Sequence, residues 1–272
     1  MSEDFAGRTV IVTAGGRGLG RGLAEAFAAA GARVMLGART LSAAQEVKAG
    51  IEAAGGVAEV CSCDVSSHAD CTGLVEAAAK AFGRVDIVIH CAADIVHGGL
   101  GAVDDDGLER NLSSIAKAAW WLLDAARPWL GKAPGGGRFI AIGSVNGTVT
   151  VVPNMTAYGM AKAALLAFVR GAAVDVIGEG ITVNAIQPGL IATHRARTML
   201  GEEGLAAYGG TVPVGRAGTP EDFAHACMFF ASPKASYVTG ASLVMDGGSS
   251  LAPARSGRGD ILQDRLKAHD GQ

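Results

Sequence analysis

The sequence predicts an α/β fold: a doubly wound parallel sheet of about seven strands with helices on both faces. Two observations carry this. Short Val/Ile-rich runs alternate with longer Ala-rich amphipathic runs along the chain, as expected of a parallel sheet covered on both sides. The 272 residues are 49% hydrophobic and 18% charged, which suits one large core and excludes disorder. On this reading residues 1–248 form a single domain. The polar, charged stretch 249–272 is a tail, either flexible or docked on a neighbouring subunit.

The elements follow in order. Strands are expected at Thr9–Thr13, Arg33–Gly37, Val57–Cys63, Val85–His90, Phe139–Ser144, Ile181–Gln187 and Ser242–Asp246, where branched apolar residues cluster in short runs. Between them the period lengthens to that of helices: Leu19–Ala30, Ser42–Ala54, His68–Phe82, a long one ending near Leu130, Thr156–Ile177 and Pro220–Ala231. Right-handed crossovers place the ligand crevice at the carboxyl ends of the strands.

Composition removes several classes of function. A net charge of −3 gives no electrostatic case for nucleic acid or an anionic membrane. The start, MSEDFAGRTVIVT, is acidic and reaches a strand at once, so no signal peptide is expected. Glu25 and Arg33 interrupt the best apolar run, which falls short of the roughly 20 residues of a membrane span. Five cysteines form neither a CxxC pair nor a disulfide framework, and His68, His225 and His269 share no metal-ligand spacing. A soluble, cytoplasmic protein without a metal is expected.

Two motifs carry chemistry. The first strand runs into Thr13-Ala14-Gly15-Gly16-Arg17-Gly18-Leu19-Gly20 and then a helix. Such a turn either holds a pyrophosphate on free helix N–H groups or is merely a tight connection. No Gly-Lys-Ser/Thr follows, which excludes a P-loop, and the strict G-x-G-x-x-G spacing is absent. In AYGMAKAAL, Tyr158 and Lys162 stand four apart in a chain with three tyrosines, on one face of a helix. They are either polar surface residues or a phenol whose pKa a neighbouring ammonium lowers from about 10, an acid–base catalyst.

The loop spacing T-G-x-x-x-G-x-G, with Ala14 in place of the first glycine, together with Tyr158-x-x-x-Lys162, resembles the short-chain dehydrogenase/reductase family in its compact, single-domain, Rossmann-like branch. The resemblance runs from Gly7 to about Gly248. Cys63-Asp64-Val65 is similar to the family's Asp-Val, Asn184 to Thr193 to its N-x-x-x-P-G-x-x-x-T, and Val238-Thr239-Gly240 with Met245 to Gly248 to its closing strand.

The resemblance implies a cofactor held by Thr13, Gly15, Arg17, Gly18, Leu19 and Gly20 of the loop. Asp64 would bind the adenine amino group beside Val65 and Ala92. Pro188, Gly189, Ile191 and Thr193 would flank the nicotinamide. Tyr158 would act as general acid or base, Ser144 would hydrogen-bond the reacting oxygen, Lys162 would hold the nicotinamide ribose, and Asn111 would hold a relay water. Ser144, Asn146 and Tyr158 would face the substrate.

Three departures stand out: His90-Cys91-Ala92-Ala93 replaces the usual Asn-Asn-Ala-Gly, implying a small backbone shift at Ala93; the segment before Asn111 is short; and Ser144 precedes Tyr158 by 14 residues instead of 13.

No acid follows the second strand, where it would bind a ribose 2′-hydroxyl. Arg39 stands there instead, and Arg17 lies in the loop. Either alone could be surface charge. Two guanidiniums on one phosphate favour NADP(H) over NAD(H). The expected protein is therefore an NADP(H)-dependent carbonyl reductase, acting as a homotetramer or homodimer on a small carbonyl or alcohol. The competing readings are an NAD-dependent alcohol dehydrogenase working oxidatively and a non-catalytic nucleotide-binding protein. An isomerase or dehydratase is disfavoured by Arg17 in the loop. The segment Thr193–Gly210 reads as a lid. Its His194, Arg195 and Arg197 either greet an anionic substrate or are solvated, and Met199, Leu200 and Tyr208 offer apolar surface.

Overall fold

The structure, a computed structural model, describes residues 5–251; residues 252–272, most of the expected tail, lie outside them. Seven parallel strands lie in the order β3-β2-β1-β4-β5-β6-β7: β1 (Thr9–Thr13), β2 (Arg33–Ala38), β3 (Val57–Ser62), β4 (Ile87–His90), β5 (Arg138–Ile142), β6 (Thr182–Pro188) and β7 (Ser242–Met245). The helices are α1 (Gly18–Ala29), α2 (Leu41–Ala53), α3 (His68–Phe82), α4 (Asp105–Leu112), α5 (Ala118–Leu130), α6 (Thr156–Val176), α7 (His194–Thr211) and α8 (Pro220–Ala231).

Every residue of β1 is buried, and its alternation shows why the sheet needs two covers. Ile11 joins the core under α3, α5 and α6, whereas Val10 and Val12 join the one under α1, α2 and α8. A side chain on a strand points to opposite faces at successive residues, so both covers are filled by branched apolar groups. The strand order reverses between β1 and β4, which pair Val10 with Ile87 and Val12 with Ile89. The crevice opens at that switch point.

Two features bear on the site. β5 ends at Ile142, not Ser144, although Gly143 N–H still donates to Ile186 O (2.7 Å) and Val145 N–H to Pro188 O (3.1 Å). The chain leaves the ladder gradually and carries Ser144 just past the sheet edge. The lid is largely helix: α7, broken at Gly201 with φ 68°. Four glycines between 201 and 210 weaken its helical signal in the sequence. The long helix ending at Leu130 is α4 and α5 joined through a π-helical turn, Ser113–Lys117. No helix among the described residues is long and apolar enough to cross a membrane.

Candidate active site

The glycine loop lies between β1 and α1. Arg17, the N-cap of α1, provides no side-chain acceptor, so the first-turn amides remain free for an anion. The backbone folds tightly here: a Cβ on Gly20 would lie 2.3 Å from Ala14 O. Ala14 itself sits at φ 55°, a left-handed conformation that costs a non-glycine residue about 1–2 kcal/mol. Thr193, the N-cap of α7, faces the loop, with its Cβ 3.7 Å from where a Cβ on Gly18 would stand.

The other side of this end of the crevice is the turn after β6. Gly189 N–H donates to Met245 O (3.0 Å), Ala192 N–H to Gly218 O (2.8 Å) and Thr193 N–H to Ile191 O (2.8 Å). Pro188 pairs with Met245. These bonds hold Pro188, Gly189, Ile191 and Thr193 in one rigid turn beside the glycine loop.

At the far end lies a small pocket of about 80 Å³, lined by Ala14, Arg39, Asp64, Val65, Ala92 and Asp94 among others. Asp64 is kept ionised by Ser66, whose hydroxyl donates at 2.6 Å and whose amide donates at 3.0 Å, so its pKa is lowered. Asp94 was not singled out by sequence reasoning. It draws Arg39 to 3.3 Å and Arg110 to 2.9 Å, over separations that no local pattern could reveal. Arg39 therefore rests in an exposed ion pair.

The departure at His90–Ala93 is accommodated by a buried relay. Carbonyl oxygens only accept, so the contact of His90 Nε2 with Ile115 O (3.0 Å) assigns the ring proton to Nε2. Nδ1 then accepts from Thr13 Oγ1 (3.2 Å). Thr13 Oγ1 in turn accepts the amides of Cys91 (2.9 Å) and Ala92 (3.0 Å). Ala93 itself keeps a negative φ.

Burial pushes the His90 imidazole down to about 3, against about 6.5 in an unfolded chain. The unfolded state therefore takes up a proton that the folded state refuses. Stability is fully present above about pH 6.5 and falls by about 1.4 kcal/mol per pH unit below it. Urea unfolding should show a loss of about 2 kcal/mol between about pH 6.5 and 5, and His90→Asn should flatten that slope. An unchanged slope in the variant would place the acid sensitivity elsewhere.

Ser144, Tyr158 and Lys162 come together. The Ser144 side chain lies close enough to the half-buried Tyr158 to act on its phenol, while Ser144 Oγ accepts the Asn146 amide (3.1 Å). Lys162 is buried, donates to Ile142 O (2.6 Å) and has its Nζ 5.6 Å from the Tyr158 ring centroid. Burial brings its pKa down to about 8, opposed by nearby Cys91.

The expected lowering of the phenol pKa by Lys162 is not what the structure gives. Burial raises the Tyr158 pKa, and the Ser144 hydroxyl and the charge of Arg195 oppose that rise. The ammonium lies under the ring and is tied to a carbonyl.

Asn111 is fully buried at the end of α4. Its Nδ2 donates to Gly107 O (3.1 Å) and Val96 O (3.3 Å), and its Oδ1 has no partner. Asn146 holds the Val152 amide through Oδ1 (3.0 Å) and leaves Nδ2 unpartnered. Buried polar atoms without partners are rare. These two, the free amides of α1 and the Asp64 pocket fit a dinucleotide with a polar substrate beside it. Among the described residues no cluster could hold a metal ion, and all five cysteines are free thiols.

The comparisons agree with this architecture. Residues 13–250 match a family described as enoyl-(acyl carrier protein) reductase. The chain is 35% identical over 250 residues to a 7alpha-hydroxysteroid dehydrogenase of Clostridium sardiniense, covering 90% of this chain and 94% of the relative. A short-chain type dehydrogenase/reductase from Mycobacterium ulcerans superposes with TM-score 0.85 at 30% identity, over 92% of both chains. A 7 alpha-hydroxysteroid dehydrogenase complexed with NADH and 7-oxo glycochenodeoxycholic acid gives 0.84 at 31% identity, over 90% of this chain and 95% of that one. From glycine loop to closing strand, the chain belongs to the short-chain dehydrogenase/reductase family.

Proposed function

We propose that this oxidoreductase reduces a ketone to a secondary alcohol with NADPH, Tyr158 supplying the proton. The observation that carries the reading is Tyr158 at the crevice with the buried Lys162 ammonium 5.6 Å from its ring centroid and Ser144 beside it. The bound nicotinamide would supply the hydride. Ser144 Oγ already accepts from the Asn146 amide, so its proton is free to point at the carbonyl oxygen and stabilise the charge that grows there. Tyr158 donates its proton to that oxygen. Lys162 keeps two donors beyond Ile142 O for the ribose hydroxyls, and the free Oδ1 of Asn111 anchors a water on the proton path. The 7-oxo compound bound by the solved relative supports a ketone. The test is a panel of ketones and alcohols followed by cofactor absorbance; no turnover with any of them would favour a non-catalytic nucleotide binder.

The NADP(H) preference rests on Arg39 and Arg17, with no acid following β2. Arg39 must leave Asp94, and that exposed pair costs at most about 1 kcal/mol to open. Charge-assisted bonds to a 2′-phosphate return about 1.5–3 kcal/mol. Asp94 keeps Arg110 as a partner. Arg39→Ala should therefore lower kcat/KM for NADPH by about tenfold or more and leave NADH almost unchanged. A wild-type preference for NADH would defeat the assignment.

The same reading includes self-association. Trp120 of α5 and Met160 and Val174 of α6 are exposed, as are Leu243 and Val244 of the edge strand β7. Such surface suits a homodimer or homotetramer, and light scattering at monomer mass would exclude both. A cytoplasmic location is part of the proposal, checked by fractionation.

A further inference from the structure

The lid charges that the sequence leaves equivalent are not equivalent in the structure. Arg197 is held by Glu202 at 2.6 Å. Arg195, second residue of α7, has no carboxylate partner among the described residues; its Nη2 lies 3.5 Å from His97 Nε2. His97 is fixed at the site's rim on both sides. Val96 O accepts from Asn111 Nδ2 (3.3 Å), and Gly98 N–H donates to Asn154 O (2.8 Å). The contact therefore spans the mouth, from the lid to the loop that packs on the Ser144–Thr156 segment. The charge of Arg195 also reaches the Tyr158 hydroxyl.

A guanidinium without a carboxylate partner among the described residues, at the mouth of the site and in contact only with an imidazole, is an anion receptor. It also stands in the first turn of α7, where the helix dipole favours negative charge. The segments that meet here also carry exposed apolar side chains: Leu100 three residues past His97, Met199 four past Arg195 and Val151 in the Ser144–Thr156 segment are 95%, 63% and 88% exposed, which offers surface for a hydrocarbon body.

We propose that Arg195 is a specificity-determining residue that receives a carboxylate on the substrate, so that the substrate class is apolar oxo acids whose carboxylate lies a few bonds from the reacting carbonyl. This rests on the oxidoreductase reading. A carboxylate matches the planar fork of arginine in two parallel hydrogen bonds, and His97 moves aside or donates a third.

The test compares benzoylformate and 3-benzoylpropionate with their methyl esters, using wild-type enzyme and the variants Arg195→Met, Arg195→Lys and Arg197→Gln. At least one acid should be reduced with kcat/KM about 10- to 100-fold above its ester. Arg195→Met should abolish that preference by raising KM for the acid far more than for its ester. Arg195→Lys should keep part of it, and Arg197→Gln all of it. Arg195 is exposed, so these variants should fold. Equal rates for acid and ester in the wild type, or an equal loss on both in Arg195→Met, would overturn the proposal while leaving the reductase reading standing. Failure of all four compounds with either cofactor would bring down both.

Discussion

Replacing Tyr158 with phenylalanine is expected to lower kcat/KM for carbonyl reduction by on the order of 10³-fold, with cofactor affinity and thermal stability nearly unchanged. General acid catalysis by a positioned side chain contributes roughly 10²–10⁴-fold, and the ring stays to fill its place. The phenol enters with its pKa raised by burial, so it is fully protonated at neutral pH and ready to donate. In the wild type, the reduction rate should also fall as pH rises through about 8, where the buried Lys162 loses its proton and with it one of the donors it holds for the ribose hydroxyls. The sign follows from a pKa depressed from 10.5: the cation is present below about 8 and gone above it. Turnover in Tyr158→Phe within tenfold of wild type would move the proton donor to another group.

How far the sequence reaches is clear from individual residues. The strands were legible because a strand buried on both faces must be branched and apolar throughout, as Val10, Ile11 and Val12 are. Tyr158 and Lys162 were legible because helical spacing alone puts them on one face. What escaped depends on distance along the chain. Asp94 meets Arg39 across 55 residues, Arg195 meets His97 across 98, and His90 reaches Thr13 across 77. The part played by His90 was hidden, since nothing local marks its two partners. The pKa of Tyr158 escaped for a related reason. Spacing gives the identity of a neighbouring cation, but its effect depends on where the ammonium points and how much water the phenol has lost.

The second large effect is expected at a position with no polar chemistry. Gly147 turns the chain just after Ser144 and Asn146, at φ 95°, and its backbone touches that of Gly159, the residue after Tyr158. A Cβ there would stand 2.2 Å from Gly159 O and 2.7 Å from Gly159 Cα; all three of its nearest neighbours are backbone, so no side chain can swing away. Gly147→Ala should therefore cost about 2–5 kcal/mol, combining the left-handed conformation with overpacking. That corresponds to a fall in Tm of roughly 5–15 °C for a domain of this size. The protein that still folds should turn over about 100-fold more slowly, because the clash separates Ser144 from Tyr158 by a fraction of an ångström to an ångström at the reacting centre. Gly171→Ala is the control. It lies on the same helix, exposed, with nothing within 4 Å of its added Cβ, and should stabilise by up to about 1 kcal/mol through helix propensity. Opposite signs for two glycine-to-alanine changes would show that the Ser144 loop is held against the Tyr158 helix by backbone contact. Wild-type Tm and rate in Gly147→Ala would mean that the two hydroxyls are aligned by something other than that contact.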